Sequence, residues 1–101
     1  MIYCFDLDGT LCSIEGDYMK AKPNKERIGT VNKLYEQGHT IIIDTGRGSS
    51  TGKRWFKETH KQLQSWGVKF HRLRVGVKVA ADVYVDDKAK NDDEFFGGHF
   101  I

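Results

Sequence analysis

The apolar positions of the chain alternate between short continuous runs and longer stretches with helical spacing. The short runs are rich in β-branched and aromatic residues, which predicts strands over residues 2–5, 40–43, 68–75 and 83–85. Two longer stretches carry apolar residues three and four positions apart, which predicts helices over residues 25–37 and 51–66. This order of elements predicts an α/β domain in three layers, with a small parallel sheet flanked by helices.

The individual patterns also predict how each element is buried. Residues 40–43 form a continuous β-branched run, which is typical of a strand covered on both faces. Residues 68–75 alternate apolar and basic side chains with a slip at Arg72, and an edge strand fits the polar half of that pattern. Trp55, Phe56 and Trp66 share one face of the second predicted helix, so we expect them in the core rather than on a stacking surface.

Acidic residues follow three of the predicted strands. Asp6 and Asp8 come after the first strand, Asp44 after the second, and Asp86 and Asp87 after the fourth. Because the carboxyl ends of parallel strands meet at one edge of a sheet, we expect these carboxylates to converge. A surplus of carboxylates needs a cation, and a donor set made of oxygen atoms favours Mg²⁺.

Other polar residues near the same edge suit phosphate chemistry. Thr45 and Gly46 follow the second strand and offer a hydroxyl and backbone amides to phosphoryl oxygens. Lys78 precedes the fourth strand and would stabilise charge on a phosphoryl group. Arg47 is open to two interpretations, a contact with substrate phosphate or a solvated loop charge. A plain turn explains Asp-x-Asp-Gly taken alone, because Asp and Gly are common turn residues.

Three short motifs resemble those of one enzyme superfamily. Residues 6–10, Asp-Leu-Asp-Gly-Thr at the end of the first strand, resemble the first motif of the phosphatase branch of the haloacid dehalogenase (HAD) superfamily. Residues 45–47, Thr-Gly-Arg, resemble its second motif, and Lys78 with residues 86–88, Asp-Asp-Lys, resembles its third and fourth. The resemblance implies a Rossmann-like, HAD-like fold and a Mg²⁺-dependent phosphatase that works through an aspartyl-phosphate.

The resemblance also implies a role for each matching residue. Asp6 would be the nucleophile that attacks phosphorus, and Asp8 would protonate the leaving oxygen and later activate water. Thr45 and Lys78 would complete the catalytic set, and Gly46 and Arg47 would bind substrate. The metal ligands would be Asp6, the backbone carbonyl of Asp8, and Asp86, with Asp87 as a second ligand or a partner of metal-bound water.

The segment after the first motif narrows the resemblance further. Tyr18, Ala21 and Pro23 resemble a subgroup of small phosphatases that is associated with capsular polysaccharide and sugar-phosphate metabolism and also occurs in phages. Residues 11–23 would then form a flap, and residues 1–101 a single domain with no cap domain. Capless members act on large substrates, have loose specificity or cap themselves by oligomerising. The association of the resembling subgroup implies a sugar phosphate as the substrate, and a homo-oligomer is a further expectation.

Two other functions remain open. A non-catalytic module that binds phosphate or Mg²⁺ is suggested by Asp44, an acid where the resembling pattern has an uncharged residue. A nucleic-acid end phosphatase is suggested by basic residues on or beside the second helix and the third strand, although a solvated helix face explains the same charges. These residues are Arg47, Lys53, Arg54, Lys57, Lys61, Arg72 and Arg74.

Composition limits the partners and the compartment. The net charge of +2 is too small to predict binding to nucleic acid or membrane for the molecule as a whole. No stretch reaches the ~18 apolar residues of a membrane span, and the amino terminus lacks the pattern of a secretory signal, so we expect no membrane partner and a cytoplasmic location. Cys4 and Cys12 are then expected as free thiols, the first in a buried strand and the second in a loop, although a disulfide between them remains open.

Overall fold

The computed structural model describes residues 1–48, 54–76 and 83–85 of the chain. Within those residues, one four-stranded sheet has the strand order β3-β2-β1-β4, and every neighbouring pair is parallel. The elements are β1 (Ile2–Asp6), a 3₁₀ turn (Tyr18–Lys20), α1 (Lys25–Glu36), β2 (Thr40–Thr45), α2 (Phe56–Ser65), β3 (Arg72–Val75) and β4 (Val83–Val85). The predicted α/β class with a parallel sheet is confirmed.

The register of the sheet brings the carboxyl ends of the strands to one edge. Asp6, the last residue of β1, is paired with Asp44 of β2, and Phe5 is paired with Val85 of β4. The central strands are buried as their apolar runs predict, because both faces of the sheet are covered. Fully buried side chains of the core include Phe5, Leu7, Leu11, Ile41, Ile43 and Leu63.

Helix α1 begins and ends close to its predicted bounds. Asn24 caps it, since its Oδ1 accepts a hydrogen bond from the Arg27 amide at 3.1 Å. Ile28 and Val31 are buried against the sheet. The chain leaves the helix through Gly38 at φ 92°, a backbone conformation that glycine adopts without strain.

Helix α2 is shorter than predicted. It begins at Phe56, and the two residues before it, Arg54 and Trp55, are not helical, while residues 51–53 lie outside the described part of the chain. The segment before Trp55 contains Thr51 and Gly52, which are weak helix formers, and no apolar residue that could be buried. The expectation that Phe56 is core is also wrong, because 50% of its surface is exposed.

The third strand is also shorter than predicted, and it lies at the edge of the described sheet as expected. Only Arg72–Val75 pairs with β2, whereas residues 68–71 precede the strand. The reason is that the start of this segment is bound to α1 instead. The side chain of Asn32 donates to the Gly67 carbonyl at 2.9 Å and accepts from the Lys69 amide at 2.8 Å.

Candidate active site

A tight turn carries the first motif away from β1. The carbonyl oxygen of Leu7 accepts hydrogen bonds from the amides of Thr10, Leu11 and Cys12 at 2.9–3.3 Å. Gly9 in this turn has φ 87°, which favours glycine. Leu7 and Leu11 are fully buried on either side of the turn, so the backbone at Asp8 is anchored at the sheet edge.

Arg47 holds the carboxylate of Asp8 with two hydrogen bonds. Its Nε donates to Asp8 Oδ2 at 2.9 Å, and its Nη2 donates to Asp8 Oδ1 at 2.8 Å. The side chain of Arg47 is fully buried and that of Asp8 is 21% exposed. A bidentate pair of this kind fixes both the position and the plane of the carboxylate. Asp8 therefore takes its orientation from the loop after β2.

The rest of the Arg47 guanidinium is bound to helix α2 and to the segment after the first motif. Nη1 donates to Thr59 Oγ1 at 3.2 Å and to Gln62 Oε1 at 2.8 Å. The ring of Tyr18 covers the guanidinium, with 4.7 Å between the guanidinium carbon and the ring centroid. The interpretation of Arg47 as a solvated loop charge is wrong, because the loop folds inward to pair it. Its contact with substrate phosphate stays a prediction.

Thr45 also contacts this pair. It is 3% exposed, its hydroxyl accepts from the Arg47 amide at 3.2 Å, and it lies 3.4 Å from Asp8 Oδ2, to which it donates. Gly46, between them, is exposed. The structure thus brings together Asp8, Thr45 and Arg47 from two neighbouring strand ends, as the parallel sheet predicts.

Cys12 lies on the other side of Asp8. Its Sγ is 3.5 Å from Asp8 Oδ1 and 3.6 Å from the Leu7 carbonyl oxygen, and the thiol donates to both. Burial, with the adjacent Asp8 carboxylate adding to it, raises the pKa of the Cys12 thiol to about 12. Cys4 and Cys12 are both free and both buried. The expectation of free thiols is confirmed, and the structure adds that the loop thiol of Cys12 is buried.

The remaining predicted residues are placed only in part. Asp6 is half-buried at the end of β1, beside Asp44. Lys78, Asp86 and Asp87 lie outside the described residues, so their roles stay predictions. Among residues 1–48, 54–76 and 83–85, no cluster of three or more His, Cys, Asp or Glu side chains is suited to a metal ion.

The donors that are described nevertheless fit Mg²⁺. The side chain of Asp6 offers carboxylate oxygens at the sheet edge, and oxygen is the donor that Mg²⁺ prefers. The carboxylate of Asp8 is held by Arg47, so its backbone carbonyl is the group that remains for a metal. Asp6 and this carbonyl are two of the ligands that the resemblance to the first motif implies.

Within the predicted flap of residues 11–23, the segment from Ser13 to Lys22 is closed at its base and docked at its tip. The Ser13 amide donates to the Lys22 carbonyl at 2.9 Å, and the Lys22 amide donates to Ser13 Oγ at 2.8 Å. At the tip, the ring of Tyr18 packs edge-on against Trp55 at 5.0 Å. The carbonyl of Tyr18 accepts from Gln62 Nε2 at 2.9 Å. The flap therefore lies against the start of α2.

Thr59 and Gln62 are site residues that the sequence reasoning missed. Both are buried on the face of α2 that also carries Leu63. A signal for them was available, because a buried polar side chain on an apolar helix face needs a hydrogen-bonding partner. The sequence does not say that this partner is Arg47.

A small cavity lies beside this site, at the ends of β2 and β3. It has a volume of about 260 Å³, and Arg47 and Gly48 form one wall of it. The amide of Gly76 donates a hydrogen bond to the Thr45 carbonyl, which connects the end of β3 to the end of β2. The other lining residues are Arg54, Trp55, Phe56, Val75 and Gly76.

The basic residues of the second helix are only partly a surface stripe. Arg54, Lys57, Lys61 and Arg72 are exposed, whereas Arg47 is buried and Lys53 lies outside the described residues. A search of the described helices found none with the length and apolar character needed to cross a bilayer.

Two solved structures have a fold similar to that of this chain. A solved structure from Vibrio cholerae superposes with a TM-score of 0.72 at 24% identity, covering 94% of this chain and 87% of that one. A chain of a Pnkp1/Rnl/Hen1 complex superposes with a TM-score of 0.63 at 19% identity, covering 92% of this chain and 41% of that one. These two likenesses show the fold alone.

Sequence comparison identifies the family. A search of curated proteins found no significant match. A family profile described as haloacid dehalogenase-like hydrolase matches residues 3–69, which include the first two motifs, the flap and all of α2. The chain therefore belongs to the haloacid dehalogenase-like hydrolase family.

Proposed function

We propose that the protein is a Mg²⁺-dependent phosphatase that hydrolyses phosphate monoesters through an aspartyl-phosphate at Asp6. The observation that carries this proposal is the different environment of the two motif carboxylates. Asp6 lies at the end of β1, whereas Asp8 is clamped by Arg47 at 2.8 and 2.9 Å. The bidentate pair fixes the position of the Asp8 carboxylate, which suits a group that exchanges a proton with the leaving oxygen and with water.

In the first step, a carboxylate oxygen of Asp6 attacks phosphorus and the bond from phosphorus to the leaving oxygen breaks. Asp8 gives its proton to that oxygen, and Arg47 then neutralises the carboxylate that remains. Thr45, Gly46 and Lys78 would bind the phosphoryl oxygens. Holding the acid in place before the reaction lowers the cost of reaching the transition state.

In the second step, a water molecule attacks the phosphorus of the aspartyl-phosphate. Asp8 takes the proton from that water, phosphate leaves, and the Asp6 carboxylate is regenerated. Mg²⁺, held by Asp6, the Asp8 carbonyl and the predicted ligands Asp86 and Asp87, would offset the repulsion between the nucleophile and the phosphate. Splitting a slow hydrolysis into two displacements is a common solution for phosphate esters.

The experiment is hydrolysis of p-nitrophenyl phosphate by the wild type with Mg²⁺, by the wild type with chelator, and by the variant Asp6→Asn. We expect activity only in the first case. Glu36→Gln, an exposed carboxylate at the opposite end of the fold, is the matched control and should keep full activity. Activity that survives Asp6→Asn contradicts the proposed nucleophile.

The substrate class that we propose is a sugar phosphate. The cavity of about 260 Å³ beside Thr45 could receive the organic part of a small ester. The flap is too short to enclose a large substrate, which agrees with a capless enzyme that is open or covered by a second copy of itself. The two free buried thiols agree with a reducing cytoplasm.

A second candidate is a nucleic-acid end phosphatase. The observation that favours it is the exposure of Lys57 and Lys61, which lie four positions apart on α2 and so share a face, and of Arg54 shortly before the helix. Hydrolysis of a phosphorylated oligonucleotide would then fall steeply with salt and with Lys57→Gln and Lys61→Gln. A third outcome, Mg²⁺-dependent thermal stabilisation with no hydrolysis of any ester, would indicate a binding module.

A further inference from the structure

Gln62 of α2 joins two parts of the molecule that are distant in sequence. Its side chain is buried, at 8% exposure for the residue. Its Oε1 accepts from Arg47 Nη1 at 2.8 Å, and its Nε2 donates to the Tyr18 carbonyl at 2.9 Å. One amide group thus contacts both the arginine that clamps Asp8 and the tip of the flap.

The orientation of this amide is fixed by its partners. A guanidinium only donates hydrogen bonds and a backbone carbonyl only accepts them. A flipped amide would place its NH₂ group against the guanidinium and its oxygen against the Tyr18 carbonyl. Both bonds therefore require the single arrangement that is observed, and loss of either leaves a buried polar group without its partner.

Tyr18 and Arg47 are also in direct contact. The Tyr18 ring lies 4.7 Å over the guanidinium carbon, and the same guanidinium holds both oxygens of Asp8. The flap tip, Gln62, Arg47 and Asp8 consequently form one continuous set of contacts. A shift of the flap tip changes the surroundings of Arg47, and a shift of Arg47 changes the plane of the Asp8 carboxylate.

We propose that Gln62 is a positioning residue that holds Asp8 in the geometry for proton transfer through Arg47 and at the same time keeps the flap docked. This inference rests on the proposed role of Asp8 as the acid. It gives Gln62 two separable contacts, one with Arg47 and one with the flap. The chain offers substitutions that remove them in different combinations.

Two variants of Gln62 separate its two contacts, and a third variant, at Thr59, tests the support of Arg47 without changing Gln62. Gln62→Met keeps a long side chain but removes both. Gln62→Glu keeps an acceptor for Arg47, but its carboxylate faces the Tyr18 carbonyl and cannot donate to it. Thr59→Val removes a neighbouring acceptor of Arg47 Nη1 and leaves the hydrogen bond from Gln62 to the Tyr18 carbonyl in place. Gln64→Met, on the exposed face of the same helix, is the matched control.

The first measurement compares kcat/KM for an aryl phosphate and an alkyl phosphate. An alkoxide is a poor leaving group and needs a well-placed acid, whereas p-nitrophenolate leaves readily without one. Because kcat/KM covers only the steps through departure of the leaving group, the ratio of the two values reports on the acid. We expect Gln62→Met and Thr59→Val to lower the alkyl value at least about tenfold more than the aryl value.

The second measurement is independent of activity. Trypsin cuts after Lys20, and departure of the flap from its docked position makes this bond more accessible, so the rate of cleavage reports on docking. We expect faster cleavage in Gln62→Met and Gln62→Glu, and unchanged cleavage in Thr59→Val and Gln64→Met. If Gln62→Met folds poorly, the flap contact is still tested by the other two variants. We expect faster cleavage in Gln62→Glu and unchanged cleavage in Thr59→Val.

The outcomes distinguish this inference from the proposed function. If the wild type hydrolyses neither ester, the proposed function fails, whereas the cleavage experiment still tests the flap contact. If both esters lose the same factor in Gln62→Met and Thr59→Val, Gln62 has a general structural role and the inference is overturned. Equal cleavage of the flap in all variants also overturns it.

Discussion

The two carboxylate oxygens of Asp8 are bound by a single guanidinium, that of Arg47, at distances of 2.8 and 2.9 Å. The two residues are 39 positions apart and belong to the loops after neighbouring strands. Arg47 is fully buried and has further acceptors in Thr59 and Gln62. A buried charge must be paired, so removal of either partner should destabilise the fold, and the pair also fixes the geometry of Asp8 at the site.

Replacement of Arg47 should lower both stability and activity. Arg47→Met leaves Asp8 and the two acceptors on α2 without their donor, and we expect a loss of about 3 kcal/mol in the free energy of unfolding. Arg47→Lys keeps the charge but cannot form the bidentate pair, so we expect kcat/KM for an alkyl phosphate to fall roughly 100-fold. Urea denaturation and steady-state kinetics measure the two effects.

Arg54→Lys is the matched control for this substitution. Arg54 is exposed, and a change there should stay within about 0.5 kcal/mol of the wild type. If Arg47→Met were as stable as Arg54→Lys, the buried pair would not have the structural role described above.

The thiol of Cys12 should make stability depend on alkaline pH. At pH values below the ordinary thiol pKa of 9.0, Cys12 is protonated in both the folded and the unfolded protein. Its contribution to the free energy of unfolding is then at its full value. Above 9.0 the unfolded chain loses this proton while the folded protein, with a pKa of about 12, keeps it, so the free energy of unfolding falls as pH rises. Between pH 8 and 10.5 we expect a fall of about 1–2 kcal/mol relative to Cys12→Ser.

Cys12→Ser is the suitable reference because its hydroxyl does not ionise in this range. Cys4 and all other titrating groups are common to both proteins and cancel in the difference. The comparison is made by urea denaturation without added divalent ions. Parallel curves for the two proteins would show that Cys12 is not the buried neutral thiol found next to Asp8.

The ring of Tyr18 should hold the flap in place. Its contacts with Arg47 and Trp55 are contacts of the ring, so Tyr18→Phe keeps them and Tyr18→Ala removes them. A desolvated contact between a guanidinium and a ring contributes about 1–2 kcal/mol. We therefore expect trypsin to cut the flap of Tyr18→Ala roughly tenfold faster, with Tyr18→Phe like the wild type. An unchanged cleavage pattern in Tyr18→Ala would mean that other contacts hold the flap.

Strong local patterns made much of the fold predictable. The β-branched run at residues 41–43 is the buried centre of the sheet, and α1 lies within one residue of its predicted bounds because Asn24 caps it. The meeting of Asp8 and Thr45 followed from the geometry of parallel strands. The start of α2 was not predictable from periodicity, since the aromatic residues at its beginning fit a longer helix equally well.

The inward turn of Arg47 was the main feature that the sequence could not show. A loop arginine has no local pattern that names its partners, and those of Arg47 are 12, 15 and 39 residues away. The same holds for Gln62, whose position on a buried helix face indicates a partner without identifying it. Lys78, Asp86 and Asp87 stay predictions.

The most direct test of the central claim is to trap the aspartyl-phosphate. The wild type, Asp8→Asn and Asp6→Asn are mixed with p-nitrophenyl [³²P]phosphate and Mg²⁺, quenched in acid, and assayed for bound label that hydroxylamine releases. We predict label on the wild type, more label on Asp8→Asn because water is no longer activated, and none on Asp6→Asn. Label that persists in Asp6→Asn, or its absence from both other proteins during turnover, would contradict the account.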